Sequence, residues 1–450
     1  MQKNYSRRIL NFTGEQKKAE LYFFLIPILC SGAFQQLYSL INTAVISRYL
    51  SYESVAVIGA CAPYASLQDF LFAGMTTGFS FYIYRCIGTG EEETFRKGFW
   101  GSVYLTGGLA VLGVILAFFS PAFILLANIP PNLRSEAKLY FFFLMAGSGA
   151  LGLKNLLLCT VQGLGDTKFP GLLSMAGVFT HTALTVFLIA GLKLPVSAAA
   201  LAILLNNLFL SFCLIFYLSL HCRRPCRKIS PGEILPDVWM ELSKSGAAKS
   251  GMMMVIWLGS LLMQRSVNGF SGEIIAATAY ANTVNAFFMS IFSAYATAAG
   301  IIAGQNKGKQ NFSNIQSYHQ RLLRMSFCWC AVFGMVNLCA SGTLLGLLAG
   351  ESITPKIIQA GTCYLRICSV GYPGLCLLLI CRSSLQSMGQ YKILPWLGLQ
   401  ETLANTILAL LAPRFGYLCV CLANVIKWSL PGLTACVCHR KYLKSQKQKC

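Results

Sequence analysis

Long apolar stretches recur along the whole chain and constrain its fold more than any other feature. Each holds roughly 20 or more residues, enough for a helix to cross about 30 Å of hydrocarbon. Of the 450 residues, 55% are hydrophobic and only 11% are charged, and the mean hydropathy is +0.59. Because a soluble domain carries roughly 25% charged residues, a soluble fold is excluded. The sequence predicts an all-α integral membrane protein.

About twelve transmembrane helices are predicted from these stretches. Their approximate limits are 20–47, 54–87, 99–120, 137–163, 170–191, 195–220, 243–268, 274–303, 320–342, 358–387, 393–411 and 416–438. The segment before the first span is polar and basic, and the first apolar run is too long for a cleavable signal peptide. We therefore expect the first stretch to be a span.

Lysine and arginine are concentrated in alternate loops. The cation-rich loops and tails contain Arg7, Arg8, Lys17, Lys18, Arg96, Lys97, Arg223, Arg224, Arg227, Lys228, Lys307, Lys309, Arg440, Lys441 and Lys444. Positive residues stay on the cytoplasmic side of a membrane. Both termini are therefore expected in the cytoplasm of a multi-pass protein of the cell (plasma) membrane. The net charge of +21 reflects this topology, and no nucleic-acid partner is expected.

The chain is predicted to consist of two related halves. Gln162-x-x-Gly165-x-x-Lys168 in the first half recurs as Gln386-x-x-Gly389-x-x-Lys392 in the second, and a proline-containing polar segment separates six spans from six. The predicted parts are a cytoplasmic N-terminal segment (1–19), an N-lobe (20–220), a cytoplasmic linker (221–242), a C-lobe (243–438) and a basic tail (439–450). This duplication predicts two pseudo-symmetric six-helix lobes around a central cavity.

Short motifs at matching positions suggest a family. The first span contains Pro27 and then Gln35-Gln36-Leu37-Tyr38-x-x-x-Asn42-Thr43, and the eighth ends in Gly304-Gln305-Asn306-x-Gly308. With these motifs the chain resembles the multidrug and toxic compound extrusion (MATE) transporters over about residues 15–440. The resemblance implies secondary active efflux of amphipathic, often cationic, organic molecules by antiport with H+ or Na+, through rocking bundles. It implies no ATP hydrolysis and no cofactor.

The chain departs from this family's pattern at the cation site of the first half. Members commonly have an aspartate at the position of Asn42, and an asparagine and an aspartate at those of His181 and Thr185. Asn42 and Thr185 offer oxygen atoms without the negative charge that a hard cation prefers. His181 could carry a proton instead, since histidine titrates near physiological pH. A hydrogen-bonded structural role is the alternative for His181.

Two carboxylates lie inside predicted spans, Asp69 in the second and Glu401 in the eleventh. A charged side chain at the centre of a bilayer costs roughly 2.5–3.5 kcal/mol on insertion scales, so each needs a reason. A carboxylate that titrates near neutrality can exchange a proton for a cationic substrate. The alternative for both is a structural pairing with a basic residue.

Other polar residues in the spans have less specific interpretations. Gln264 and Asn282 are expected to face the cavity or to bond between helices. Pro27 is expected to kink its helix and so to act in gating. Lys154 and Arg382 are close enough to helix ends to extend towards the cytoplasm, as is Arg85. Lys427 lies deeper and would repel cationic substrates unless Asp69 or Glu401 pairs with it.

Three alternatives compete with drug export. A flippase of a lipid-linked oligosaccharide, from the same superfamily, would need a cationic cavity for pyrophosphate. A membrane-embedded enzyme is not expected, because none of the four histidines has a carboxylate beside it. A metal site is not expected either, because the cysteines lie mostly in apolar runs where a thiol acts as a small hydrophobe. The expected partners are a small-molecule substrate and the lipid bilayer, and the chain is expected to be a monomer.

Overall fold

The computed structural model describes residues 18–49, 52–126, 129, 131–222, 227–349 and 354–448. Twelve long helices lie in this part of the chain. In order they are α1 (Lys18–Tyr49), α2 (52–89), α3 (Glu92–Phe118), α4 (Arg134–Gly163), α5 (Lys168–Gly191), α6 (Ser197–His221), α7 (Pro236–Val267), α8 (Gly272–Gly308), α9 (Phe312–Ala349), α10 (Pro355–Ser387), α11 (Ile393–Phe415) and α12 (Leu418–Lys447). A short helix, Ser120–Leu126, follows α3.

Each predicted span overlaps one of these helices, and the prediction of an all-α membrane protein is confirmed. Nine of the described helices are long and apolar enough to cross a membrane. Several helices exceed their predicted spans: α9 begins at Phe312, ahead of the predicted start at 320. Hydropathy marks where the hydrocarbon ends, whereas a helix continues through polar residues beyond it. The predicted limits therefore describe the membrane-spanning part of each helix and not the whole helix.

Contacts divide the described chain into two compact units, one before and one after the junction of Ser250 and Gly251. The junction lies inside α7, so the first half of α7 packs with α1–α6. Ser245 donates a hydrogen bond to the carbonyl of Gly78 (2.5 Å). The lobes at 20–220 and 243–438 stay a prediction, and the contacts add that 243–250 pack with the first unit.

Small residues allow close helix contacts in the first unit. A Cβ atom built at Gly78 on α2 would lie 2.6 Å from the Cα atom of Gly246 on α7. A Cβ atom at Gly171 on α5 would lie 2.9 Å from the Cβ atom of Pro27 on α1. Such approaches are typical of helix association in membranes, where dispersion contacts replace the hydrophobic effect.

The second unit is built around α10, which contacts α8, α9 and α12. Gly374 and Gly432 bring α10 and α12 together: a Cβ atom at Gly374 would lie 2.6 Å from the Cα atom of Ser429. The buried face of α10 carries Tyr364, Tyr372 and a run of cysteines and leucines. The close contact between α10 and α12 therefore sets the positions of the side chains that line the interior of this unit.

Candidate functional site

The first unit contains a cavity of about 580 Å³, here called the first cavity. Helices α1, α2, α4, α5 and α6 contribute to its wall. Its polar lining residues are Gln35, Gln36, Gln68, Asp69, Lys154, Ser174, His181, Asn206 and Asn207. Two residues predicted from the sequence, Asp69 and His181, thus come together in one cavity.

Asp69 owes its position to an irregular turn in the middle of α2. Residues Asp69–Ala73 form a π-helical turn, and the Asp69 side chain is exposed to the cavity. On α4, Asn155 Nδ2 donates to the Ala73 carbonyl (3.1 Å) and to Thr77 Oγ1 (3.0 Å), which supports the end of this turn. Single π turns inside α-helices are frequent at functional sites. The turn places a carboxylate at membrane depth without packing it against neighbours.

Lys154 on α4 is the second charged group of the first cavity. The sequence predicted a different position for it, near the helix end and extended towards the cytoplasm. It is half-buried and makes no hydrogen bond or ion pair with any residue that the structure describes. Its charge acts on both Asp69 and His181. The signal in the sequence was its distance from the end of α4 at Gly163, about 14 Å at 1.5 Å per residue.

His181 is buried in the wall of the first cavity, and its Nδ1 atom lies 3.4 Å from Thr185 Oγ1 one turn along α5. This distance is at the upper limit for a hydrogen bond. Thr185 contacts His181 but does not itself line the cavity. Asn42 is on α1, and its side chain lies outside the described residues. Its predicted role stays a prediction.

Pro27 lies within α1, half-buried, against Gly171 of α5. One turn before it, the carbonyl of Phe24 accepts a hydrogen bond from Thr167 Oγ1 (2.9 Å). A proline cannot donate the backbone hydrogen bond that continues a helix, so α1 is weakened at this point. The gating role of Pro27 remains a prediction.

The second unit contains its own, smaller cavity of about 230 Å³, here called the second cavity. The predicted residues Gln264 and Asn282 line it, together with Asn285, Asn405 and Lys427. Gln264 Nε2 donates to Asn268 Oδ1 (2.8 Å). Two of the three site residues predicted in the second half, Gln264 and Asn282, therefore meet in one place, and among described residues no carboxylate lines this cavity.

Glu401 lies outside the second cavity and forms an ion pair. Its Oε1 atom is 2.8 Å from Nη1 of Arg382, and each side chain is only 8% exposed. These contacts agree with the alternative interpretation of Glu401, which was a structural pairing with a basic residue. Arg382 is buried between helices and does not extend towards the cytoplasm as its position suggested. A buried pair of this kind constrains α10 and α11 relative to each other.

Metal-ligating side chains do not cluster in the part of the chain that the structure describes. It contains no group of three or more histidine, cysteine, aspartate or glutamate residues placed to hold a metal ion. The ionisable groups of the first cavity, Asp69, Lys154 and His181, can instead bind, exchange or repel protons and organic ions.

Comparisons with known proteins match this architecture. A family model described as MatE matches residues 27–187 and 250–411. The probable multidrug resistance protein NorM of Thermotoga maritima is 26% identical over 198 residues, which is 42% of this chain and 42% of the relative. The chain thus matches less than half the length of this curated relative.

Two solved structures share the fold. An outward-facing multidrug resistance MATE family transporter of the MOP superfamily is 21% identical, with a TM-score of 0.86 and coverage of 97% of this chain and 98% of that chain. A MOP superfamily transporter from Pyrococcus furiosus, reported with a binding pocket of reverse polarity, has the same identity and coverage and a TM-score of 0.85. The family model covers well over half of the chain, so the chain belongs to the MatE family of multidrug and toxic compound extrusion transporters.

Proposed function

We propose that this protein exports amphipathic, cationic organic compounds from the cell by antiport with protons. The observation that carries this proposal is the Asp69 carboxylate, which is exposed to a large cavity at membrane depth beside Lys154 and His181. The relatives of the chain are multidrug transporters rather than enzymes, and no enzymatic activity is proposed.

Protons fit this cavity better than sodium ions as the coupling ion. A sodium site needs several oxygen ligands and compensating negative charge. Among its described lining residues the first cavity offers one carboxylate, and the nearby Lys154 ammonium repels a metal cation. A proton needs only one group that can bind and release it. Na+ remains the alternative coupling ion, and the gradient experiment below separates the two.

Exchange follows if a proton and the substrate compete for the same carboxylate. Ionised Asp69 attracts a cationic substrate, and protonated Asp69 does not, so proton binding favours release. The Lys154 charge adds repulsion once Asp69 is neutral. Leucine and phenylalanine side chains, including Leu144, Leu158 and Phe143, can hold the apolar part of the substrate.

Alternating access through rocking bundles is part of the proposal, as are a monomeric state in the plasma membrane and cytoplasmic termini. Internal repeats of this kind support movement of one bundle against another. Pro27 is the position at which α1 can bend, because its backbone cannot donate a hydrogen bond. The lipid-linked oligosaccharide flippase is not favoured, since the first cavity contains a carboxylate that would repel pyrophosphate.

Ethidium uptake into proteoliposomes tests the proposal. Wild-type protein should take up the dye when the lumen is acidic and should not when the lumen is instead loaded with Na+. Asp69→Asn should reduce proton-driven uptake at least about tenfold, the effect of losing about 1.4 kcal/mol. Glu273→Gln is the matched control, because Glu273 forms an exposed ion pair with Lys356 (2.9 Å) away from both cavities.

Two outcomes would overturn this mechanism. Uptake driven by Na+ alone would assign another coupling ion. Proton-driven uptake that is equal in wild type and Asp69→Asn would show that Asp69 does not couple transport.

A further inference from the structure

Lys427 gives the second cavity a single, uncompensated positive charge. It is the only charged side chain among the described residues that line this cavity. Lys427 Nζ lies 5.5 Å from the centre of the Trp428 ring, and it forms no hydrogen bond or ion pair with a described residue. A lysine ammonium has three donors, so all three are available to a ligand or to water.

The charges around Lys427 do not cancel. Glu401 acts electrostatically on Lys427, but its carboxylate is already bound to Arg382 at 2.8 Å. These three groups therefore carry two positive charges and one negative charge. Lys427 lies nine residues after the start of α12, about 14 Å along the helix, and its side chain is half-buried. A charge buried without a partner is costly, and a bound anion would remove that cost.

Two asparagines that line the same cavity each contain an amide oxygen without a hydrogen-bond donor. The Oδ1 atoms of Asn285 and Asn405 are buried and accept no hydrogen bond from any described residue, and these side chains are only 4% and 2% exposed. Buried polar atoms are normally hydrogen-bonded, so such exceptions need an explanation. Each oxygen has almost no accessible surface, so a ligand N–H can reach it only when the asparagine side chain rotates towards the cavity.

Hydrogen bonds connect part of the remaining wall, and another part is apolar. Asn424 Nδ2 donates to the Tyr364 hydroxyl (2.6 Å), which donates to Asn282 Oδ1 (2.7 Å). Met263, Met289 and Trp428 supply the apolar surface. A preorganised wall lowers the entropy lost on binding.

We propose that the second cavity binds an amphipathic organic carboxylate that carries an N–H group near the carboxylate, as in an N-acylated amino acid. The carboxylate contacts Lys427, the N–H donates to Asn285 or Asn405, and the apolar group lies against Trp428. This site is separate from the first cavity, and it does not depend on proton antiport.

Radiolabelled hippurate, which is N-benzoylglycine, is a probe of suitable size and chemistry. Its binding to the purified full-length protein is measured by equilibrium dialysis in chloride-free buffer without any gradient. Hippurate should bind, and its uncharged amide, hippuramide, should compete at least tenfold more weakly. Lys427→Met should weaken hippurate binding about 10- to 100-fold, the usual range for losing a charged hydrogen-bond partner. Lys427→Arg should retain most of the binding.

Lys154→Met is the matched control, because Lys154 is the lysine of the first cavity. It should leave hippurate binding unchanged. Loss of binding in Lys154→Met but not in Lys427→Met would place the anion in the first cavity and overturn the proposal. Equal competition by hippuramide, displacement by millimolar chloride, or no binding to the wild type would overturn it as well. Because no gradient is used, failure of proton-driven ethidium uptake would not affect this result.

Discussion

The two cavities occupy corresponding places in the internal repeat but carry different charges. His181 in the first cavity and Asn405 in the second are 224 residues apart, the same separation as between the repeated Gln162 and Gln386. The first cavity contains Asp69 and Lys154, whose charges are opposite, whereas the second contains Lys427 and no carboxylate among its described lining residues.

A second correspondence links Asn206 and Lys427 by their positions within their helices. Asn206 lies nine residues after the start of α6, and Lys427 lies nine residues after the start of α12; each lines its own cavity. Equivalent positions on α6 and α12 thus line the two cavities with an amide in one half and an ammonium in the other. The proposed ligands differ accordingly, a cation in the first unit and an anion in the second.

The largest effect on stability is expected at the ion pair of the second unit. Glu401→Gln leaves the buried Arg382 charge without its partner, which typically costs about 3–5 kcal/mol. Thermal unfolding in detergent should show a clear loss for this variant. The exposed pair of Glu93 and Lys97 is the matched control, and Glu93→Gln should change nothing measurable. An unchanged melting temperature in Glu401→Gln would contradict the expectation that this ion pair stabilises the second unit.

The two units should respond similarly to substitutions at their close helix contacts, although their charged residues differ. Gly374→Ala in the second unit and Gly78→Ala in the first each place a Cβ atom 2.6 Å from a Cα atom of the facing helix. Each should therefore destabilise the protein by about 1–3 kcal/mol, the usual cost of overpacking. Melting temperatures measure this.

Gly334→Ala provides the control for these contacts, because no described atom lies within 4 Å of its added Cβ atom. It should be neutral or stabilising by up to about 1 kcal/mol, since alanine favours the helix. If Gly78→Ala is tolerated and Gly374→Ala is not, the α2–α7 contact is the looser of the two.

Much of the fold could be predicted from the sequence, because hydropathy shows each span separately. Asp69 could be predicted because a carboxylate in a long apolar run stands out. The π turn at 69–73 has no sequence signature, so the exposure of Asp69 to a cavity could not be foreseen. Arg382 was misplaced because its position along the helix did not reveal its partner Glu401, which is on another helix.

The smallest effect is the sharpest test of the charge difference between the cavities. Lys154→Met removes the ammonium that acts on Asp69, so a cation should bind to the first cavity more tightly. We expect about tenfold higher affinity for tetraphenylphosphonium, or about 1.4 kcal/mol, by titration calorimetry. Lys427→Met is the control and should leave this affinity unchanged, because Lys427 lines the other cavity. If both variants gain affinity equally, the cation senses the total charge of the protein, and the two cavities are not electrostatically distinct.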